Sequence, residues 1–383
     1  MQSNPVPLSA RSEMLGARDI ATVMRAARQL ADPLDLTVGE PDIPVPKEVV
    51  TAAVSAIFEG RNGYVPATGL PALTERLRAD AVAEFGSQYD LDVLVTTGVT
   101  GGLLLALMAT TDPGDEVIVI DPYFPLYLRQ IEVLGVVPRI VTTYPRFRVD
   151  SHRISKAISP KTKAIILNSP NNPTGSLITD EEMASICKLA RFHDLHIISD
   201  EIYRDFVYDG NHRIQSPGKL YERVLVLRGF SKSHSMTGWR LGYVIGEREA
   251  INRMATLQLY LYGCAPAPLQ YGALRAINIS TLQSKERYAA NRDLVVNALS
   301  DSFDIVAPKG GFYLFAKVPG QMSGSKFCEL ARSQNLLILP GAAFSTKDTH
   351  FRMSFCLHDH ILLDACNVLV SIALRLQSEG YDI

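Results

Sequence analysis

Short apolar runs recur along the chain, and polar residues cluster after each of them. Val224-Leu225-Val226-Leu227, Lys163-Ala164-Ile165-Ile166-Leu167, His196-Ile197-Ile198-Ser199, Asp92-Val93-Leu94-Val95-Thr96 and Glu116-Val117-Ile118-Val119-Ile120 read as short buried strands. Between them the period lengthens. Residues 181–191 carry Met183, Ile186, Cys187 and Ala190 at helical spacing, and residues 101–109 read as a helix behind a tight Thr97-Gly98-Val99-Thr100 loop. Strand and helix in alternation, with no internal repeat or low-complexity stretch, predict an α/β fold with a mostly parallel central sheet flanked by helices. Nearer the C-terminus, residues 310–315, 336–341 and 351–355 form a further group of apolar segments, and an amphipathic helix follows Asp359.

Composition narrows the class without naming a function. The chain has 383 residues, is 47% hydrophobic and carries a net charge of −2, enough to bury a large core in two domains. That charge balance gives no reason to expect a nucleic-acid or anionic-membrane partner. The sequence opens without a basic-then-apolar leader, and the leucine-rich run at 103–109 is too short to span a bilayer, so a cytoplasmic location is expected. Five scattered cysteines, with no C-x-x-C pair, suggest reduced thiols and no zinc site. His358-Asp359-His360 reads as a polar turn, since adjacent ligands alternate in direction and no further cluster accompanies them.

The chemistry lies at three strand ends. Lys232 follows the 224–227 run, with Arg240 eight residues on. An amine in an apolar setting near another cation loses its proton readily and suits a Schiff base, although a solvated loop lysine is the plainer alternative. Asn168-Ser169-Pro170-Asn171-Asn172 follows the second strand and Asp200-Glu201-Ile202-Tyr203 the third. In an open α/β sheet the carboxyl ends of parallel strands share one crevice, so lysine, carboxylate, phenol and amide should converge. Arg352 is the charged residue of an apolar strand pattern, where a charge without a partner would cost several kcal/mol; a ligand carboxylate could supply the partner.

Val38-Gly39-Glu40-Pro41-Asp42, Tyr64, Asn172-Pro173-Thr174-Gly175, Asp200-Glu201-Ile202-Tyr203, Ser231-Lys232 and Phe351-Arg352-Met353-Ser354-Phe355 occur in an order that resembles the class I/II aminotransferases of the fold-type I pyridoxal-phosphate family. The resemblance covers most of the length. It implies a large domain at 48–280 and a small α+β domain built from 1–47 and 281–383. It also implies that Lys232 holds pyridoxal 5'-phosphate as an imine and acts as the base, while Asp200 pairs with the pyridine nitrogen. Asn172 and Tyr203 would donate to the phenolic oxygen. Gly98, Val99 and Thr100 at a helix start, with Arg240 and Ser231, would bind the phosphate. Phe124 would stack on the ring, and Tyr64 would reach the site of the other subunit in a homodimer. Arg352, with Gly39 and Asn172, would receive the substrate α-carboxylate.

Transamination between an α-amino acid and a 2-oxo acid is the function so implied. Elimination, cyclisation or oxidation on the same adduct remains an alternative, as does a catalytically idle binding module. Several positions depart from the family pattern. Gly229 stands where many relatives carry a phosphate-binding serine, so that Ser231 or Ser233 is expected to take over. His234 reads as a core histidine or a second titratable group near the lysine, and Tyr260 and Tyr262 replace a Ser/Thr-rich stretch that lies near the cofactor in relatives.

Overall fold

The computed structural model describes residues 30–208 and 215–380, with Ser9 and Arg11. Most of the expected 1–47 portion of the small domain therefore lies outside the described residues.

Seven strands form the main sheet in the order β2-β8-β7-β6-β5-β3-β4. They are β2 (Leu91–Thr97), β3 (Glu116–Asp121), β4 (Val137–Thr142), β5 (Thr162–Asn168), β6 (His196–Asp200), β7 (Val224–Gly229) and β8 (Leu241–Glu247). β3, β4, β5, β6 and β7 pair in parallel, whereas β8 runs antiparallel to both β7 and β2. The mostly parallel expectation thus holds, with β8 as the exception.

Strand alternation divides the apolar residues between two layers. Val93, Val95, Ile165, Leu167, Ile197, Val224 and Val226 pack on one face, and Leu94, Ala164, Ile166, Ile198, Leu225 and Leu227 on the other. Both faces are covered by helices, which is why these strands read as continuous apolar runs. Helix Asp180–Phe192 buries Met183, Ile186, Cys187 and Ala190 as its spacing predicted, and a Thr179–Glu182 capping box fixes its start.

A three-stranded antiparallel sheet, in the order β11 (Leu339–Pro340), β12 (His350–Ser354), β9 (Tyr313–Lys317), centres a second core. Helix Asp359–Ser378 lays Leu362, Ala365, Cys366, Leu369, Ile372, Ala373 and Leu376 into it. That helix is long and apolar enough to cross a membrane by length and composition, but its apolar stripe is buried inside the protein. Leu36 from the N-terminal segment joins this second core, beside β1 (Leu34–Asp35), which pairs with β10 (Leu336–Leu337). Tyr203 and Phe206, from the loop after β6, join it as well. Residues between the two sheets are therefore held from both sides.

Candidate functional site

Between the strand ends of the main sheet and the small sheet lies a cavity of about 370 Å³. Of the residues singled out in the sequence, Gly39, Val99, Thr100, Phe124, Asn172, Asp200, Tyr203, Ser231, Lys232, Arg240 and Arg352 line it. Gly98 is not itself in the lining but lies against Arg240, which is, and Tyr64 does not reach the cavity; that side chain is 95% exposed.

Lys232 is held by the end of β7. The strand stops at Gly229, where a Cβ would sit 3.0 Å from the Cα of its partner Gly242. A serine Cβ here would press on the backbone of Gly242 and Leu241, which would have to give by a few tenths of an ångström. The turn that follows places Lys232 Nζ 2.6 Å from the Gly39 carbonyl, to which it donates. Burial lowers the amine's pKa, and the positive charges of Arg352 and Arg240 act in the same direction. A larger share of neutral, nucleophilic amine follows.

Asp200 ends β6 and is buried, with Oδ2 accepting from the Tyr127 hydroxyl at 2.6 Å and Oδ1 from the Ile202 amide at 3.2 Å. Burial raises its pKa to about 6 despite both bonds. Such a carboxylate suits a cationic N–H partner in the cavity, and a protonated pyridine nitrogen has that character. The neighbouring Glu201 serves a separate purpose. Its carboxylate pairs with buried Arg228, which also forks onto Glu84 at 2.8 and 2.9 Å.

The anion cradle is built from backbone. Helix Gly98–Thr110 begins three residues before the expected start, so the predicted tight loop is its first turn. Thr97 makes no side-chain cap and no acidic residue occupies that turn, leaving N–H groups and the positive helix end available to an anion. Two close approaches shape it. A Cβ on Gly98 would lie 2.8 Å from Arg240 Nη2, and one on Gly242 would lie 2.6 Å from Val99 N. Gly242 went unnoticed in the sequence, because a glycine inside a strand carries no chemical cue of its own. Ser231 lines this cavity, whereas Ser233 Oγ lies 2.8 Å from His234 Nδ1, outside the lining. His234 packs against Phe230 behind the site. Of the two serines, the geometry favours Ser231 for an anion.

Arg352 is 3% exposed on β12. Its guanidinium lies between the Tyr313 ring, 4.3 Å from the centroid, and the Phe344 ring at 4.5 Å. Nη1 donates to Asn172 Oδ1 at 3.1 Å, Nη2 donates to the Thr37 carbonyl, and Nε is buried without a partner. A flat cation with an unsatisfied donor, fixed between two rings, is suited to a carboxylate.

Tyr203 and Tyr313 hydroxyls lie 3.1 Å apart, and burial raises the pKa of both, keeping them neutral. Tyr127, Tyr313, Glu40 and Thr237 also line the cavity and were missed. The two tyrosines gave a weak cue, since aromatics at helix and strand spacing read as core. Tyr260 is 85% exposed and neither it nor Tyr262 lines the cavity; the Tyr262 hydroxyl donates to Gln258.

The cavity residues thus fit pyridoxal phosphate in three respects: an enclosed amine, a buried carboxylate awaiting a cation, and a glycine-shaped helix end for phosphate. Comparison with known proteins points the same way. The family profile described as Aminotransferase class I and II matches residues 31–369. The chain is 35% identical to an aspartate aminotransferase of Thermotoga maritima over 360 residues, 91% of this chain and 92% of the relative. It is 32% identical to aromatic-amino-acid aminotransferase 2 of Thermococcus litoralis, covering 88% of this chain and 90% of that one. Aspartate aminotransferase from Thermus thermophilus with maleate superposes with a TM-score of 0.89 at 32% identity, covering 96% of this chain and all of the other.

Proposed function

The chain belongs to the class I and II aminotransferases, pyridoxal-phosphate-dependent enzymes that move an amino group between an α-amino acid and a 2-oxo acid, and on that premise we propose the part each residue plays. When bound, the cofactor supplies an aldehyde carbon for covalent attachment and an electron-accepting ring. Lys232 Nζ is the attachment point and the base that moves the proton at the substrate Cα, a contribution of roughly 10²–10⁴ in rate. Its enclosure, which disfavours the ammonium form, suits it to both duties. Asp200, oriented by Tyr127, would pair with the ring nitrogen. Asn172 and Tyr203 would donate to the ring's phenolic oxygen, and Phe124 would pack against the ring. The first turn of helix Gly98–Thr110, Ser231 and Arg240 would hold the phosphate. Arg352, steadied by Asn172 and Thr37, takes the α-carboxylate near Gly39.

The observation that carries this reading is the meeting of Lys232, Asp200 and Arg352 in one cavity, from strand ends far apart in the chain. Borohydride reduction of the cofactor-loaded protein, followed by peptide mapping, should place a pyridoxyl group on Lys232. A label on any other lysine would refute the assignment.

We assign residues 48–280 to a large domain and 281–383, with the N-terminal 1–47, to a small one. We also assign a homodimer. Val50, Val54, Ile57 and Phe58 on helix Lys47–Phe58 are exposed, as are Leu259, Tyr260 and Leu261 near the end of helix Arg248–Tyr262. Tyr64 joins the second group, its Cε1 3.8 Å from where a Cβ on Gly263 would lie. So much exposed apolar surface suits a second copy, and it would carry Tyr64 toward the neighbouring cavity. Five free cysteines suit a cytoplasmic location. The relatives are named for both aspartate and aromatic substrates.

A further inference from the structure

Arg352 is oriented by the two rings that flank it, and each ring has its own tie to the main sheet. Tyr313 is carried by β9, and its hydroxyl meets that of Tyr203 beyond β6. Phe344 lies in the connection of residues 341–349, between β11 and β12. That connection is docked against the carboxyl ends of β3 and β4. The Tyr123 amide donates to the Phe344 carbonyl at 2.8 Å, the Thr346 hydroxyl to Asp121 Oδ2 at 2.8 Å, and the Tyr144 hydroxyl to Ser345 Oγ at 3.0 Å. Beside these bonds Phe344 packs with Phe315 and Leu339 of the small sheet and with Tyr144 and Phe147 in an apolar cluster of its own. Phe344 is thus fixed where the two sheets meet.

Asp121 is the last residue of β3 and is fully buried. Burial raises its pKa, while the Ser345 and Thr346 hydroxyls and the Lys347 charge act the other way, all from the one connection. For stability alone a buried carboxylate is a poor choice, because a neutral pair would avoid the cost of taking the charge out of water. What it supplies is a strong, directional acceptor at a fixed strand end. Asp121 does not line the cavity. Its route to the substrate runs through Thr346 and Phe344 to Arg352, whose guanidinium carbon lies 4.5 Å from the Phe344 ring centroid.

We propose that Asp121 and Thr346 are positioning residues for the substrate carboxylate: their hydrogen bond latches residues 341–349 to the end of β3 and holds the Phe344 ring against the guanidinium of Arg352. A loosened latch lets the ring leave the cation, which then loses the orientation it needs before a carboxylate arrives. The proposal rests on the reading that Arg352 takes that carboxylate.

The test uses the cofactor-loaded enzyme with L-aspartate and L-phenylalanine. Single-turnover conversion of the aldehyde form, followed by absorbance, gives a half-saturating concentration and a limiting rate constant. Dissociation constants of maleate and 3-phenylpropionate, by calorimetry, read carboxylate binding without turnover. Thr346 is exposed, so Thr346→Val is expected to fold. It should raise the half-saturating concentration and the inhibitor dissociation constants by roughly three- to tenfold, in keeping with partial loss of one buried cation–π contact, and leave the limiting rate constant and cofactor affinity within about twofold. Thr346→Ser keeps the hydroxyl and should return every quantity to within about twofold of wild type. In an Arg352→Lys background the effect of Thr346→Val on the slope of rate against concentration should vanish to within about twofold. Tyr144→Phe cuts a separate tie to the same connection and should weaken binding in the same direction, which keeps the test open if Thr346→Val does not fold.

Unshifted binding in whichever of these variants folds would overturn the proposal. An undiminished effect of Thr346→Val in the Arg352→Lys background would overturn it too, because the tie would then be structural only. Failure of the reading beneath it looks different: Lys232 takes no borohydride label, or Arg352→Lys leaves the binding of every carboxylate unchanged.

Discussion

Replacing Asp200 with asparagine should make the cofactor-free protein more stable while disabling the holoenzyme. Burial raises the Asp200 pKa from 3.8 to about 6. The folded state therefore holds this proton more tightly than the unfolded chain, and stability falls as pH rises between these values, remaining lower above them. At about 1.4 kcal/mol per pH unit the penalty is roughly 3 kcal/mol above pH 7. Asparagine carries no charge and can still accept from Tyr127, but it gives up the second acceptor, which now meets the Ile202 amide; losing that bond costs about 1 kcal/mol. The net gain is about 2 kcal/mol. With an unfolding entropy of about 0.8 kcal/mol/K for a chain of this length, Tm should rise by about 2–3 °C. Thermal melts of cofactor-free wild type and Asp200→Asn, at equal protein concentration, should show this gap at pH 8 and its closure near pH 4. Added cofactor should raise the Tm of wild type more than that of the variant, because only the carboxylate gains a cationic partner. A cofactor-free variant that melts below wild type at pH 8 would refute the electrostatic reasoning.

Three further outcomes follow from the geometry. Arg352→Lys keeps the charge but loses the fork between Tyr313 and Phe344, and should lower kcat/KM by about 10²–10³ through KM, as read from steady-state kinetics with several carboxylate substrates. Tyr127→Phe removes a 2.6 Å bond to a buried carboxylate, and should weaken cofactor binding by about tenfold in a spectroscopic titration. Phe58 is 86% exposed, and Phe58→Asp should shift sedimentation velocity profiles toward monomer without lowering helical content; an unchanged profile would remove that patch from the interface.

What the sequence disclosed, and what it hid, has a common physical cause. β5, β6 and β7 were legible because both faces are covered, so each is an unbroken apolar run ending in polar groups. The charged members of the site, Lys232, Asp200 and Arg352, stood out as ionisable residues in apolar surroundings. Tyr127 and Tyr313 did not, since their role depends on hydroxyl partners 73 and 110 residues away. The Arg228–Glu84–Glu201 network was hidden for the same reason, its members being joined across 144 and 27 residues. Tyr260 and Tyr262 erred the other way, because an aromatic at a helix end looks the same whether it faces a ligand, solvent or another subunit. Helix Gly98–Thr110 starts earlier than expected because glycine opens a turn and a helix equally well in sequence; Gly98 itself, at φ +69°, keeps a left-handed turn conformation at the helix edge.

Tyr313 touches three parts of the molecule at once. Its ring carries Arg352, its hydroxyl meets that of Tyr203, and it occupies the space where a side chain on Gly39 would lie, only 1.6 Å from its oxygen. Alanine at position 39 would therefore act at a distance, tilting the phenol, loosening the guanidinium and disturbing the main-sheet tyrosine in a single displacement. The N-terminal segment, the small sheet and the loop beyond β6 are thus geared together, and none of the three can be redesigned for a new substrate while the other two stay as they are.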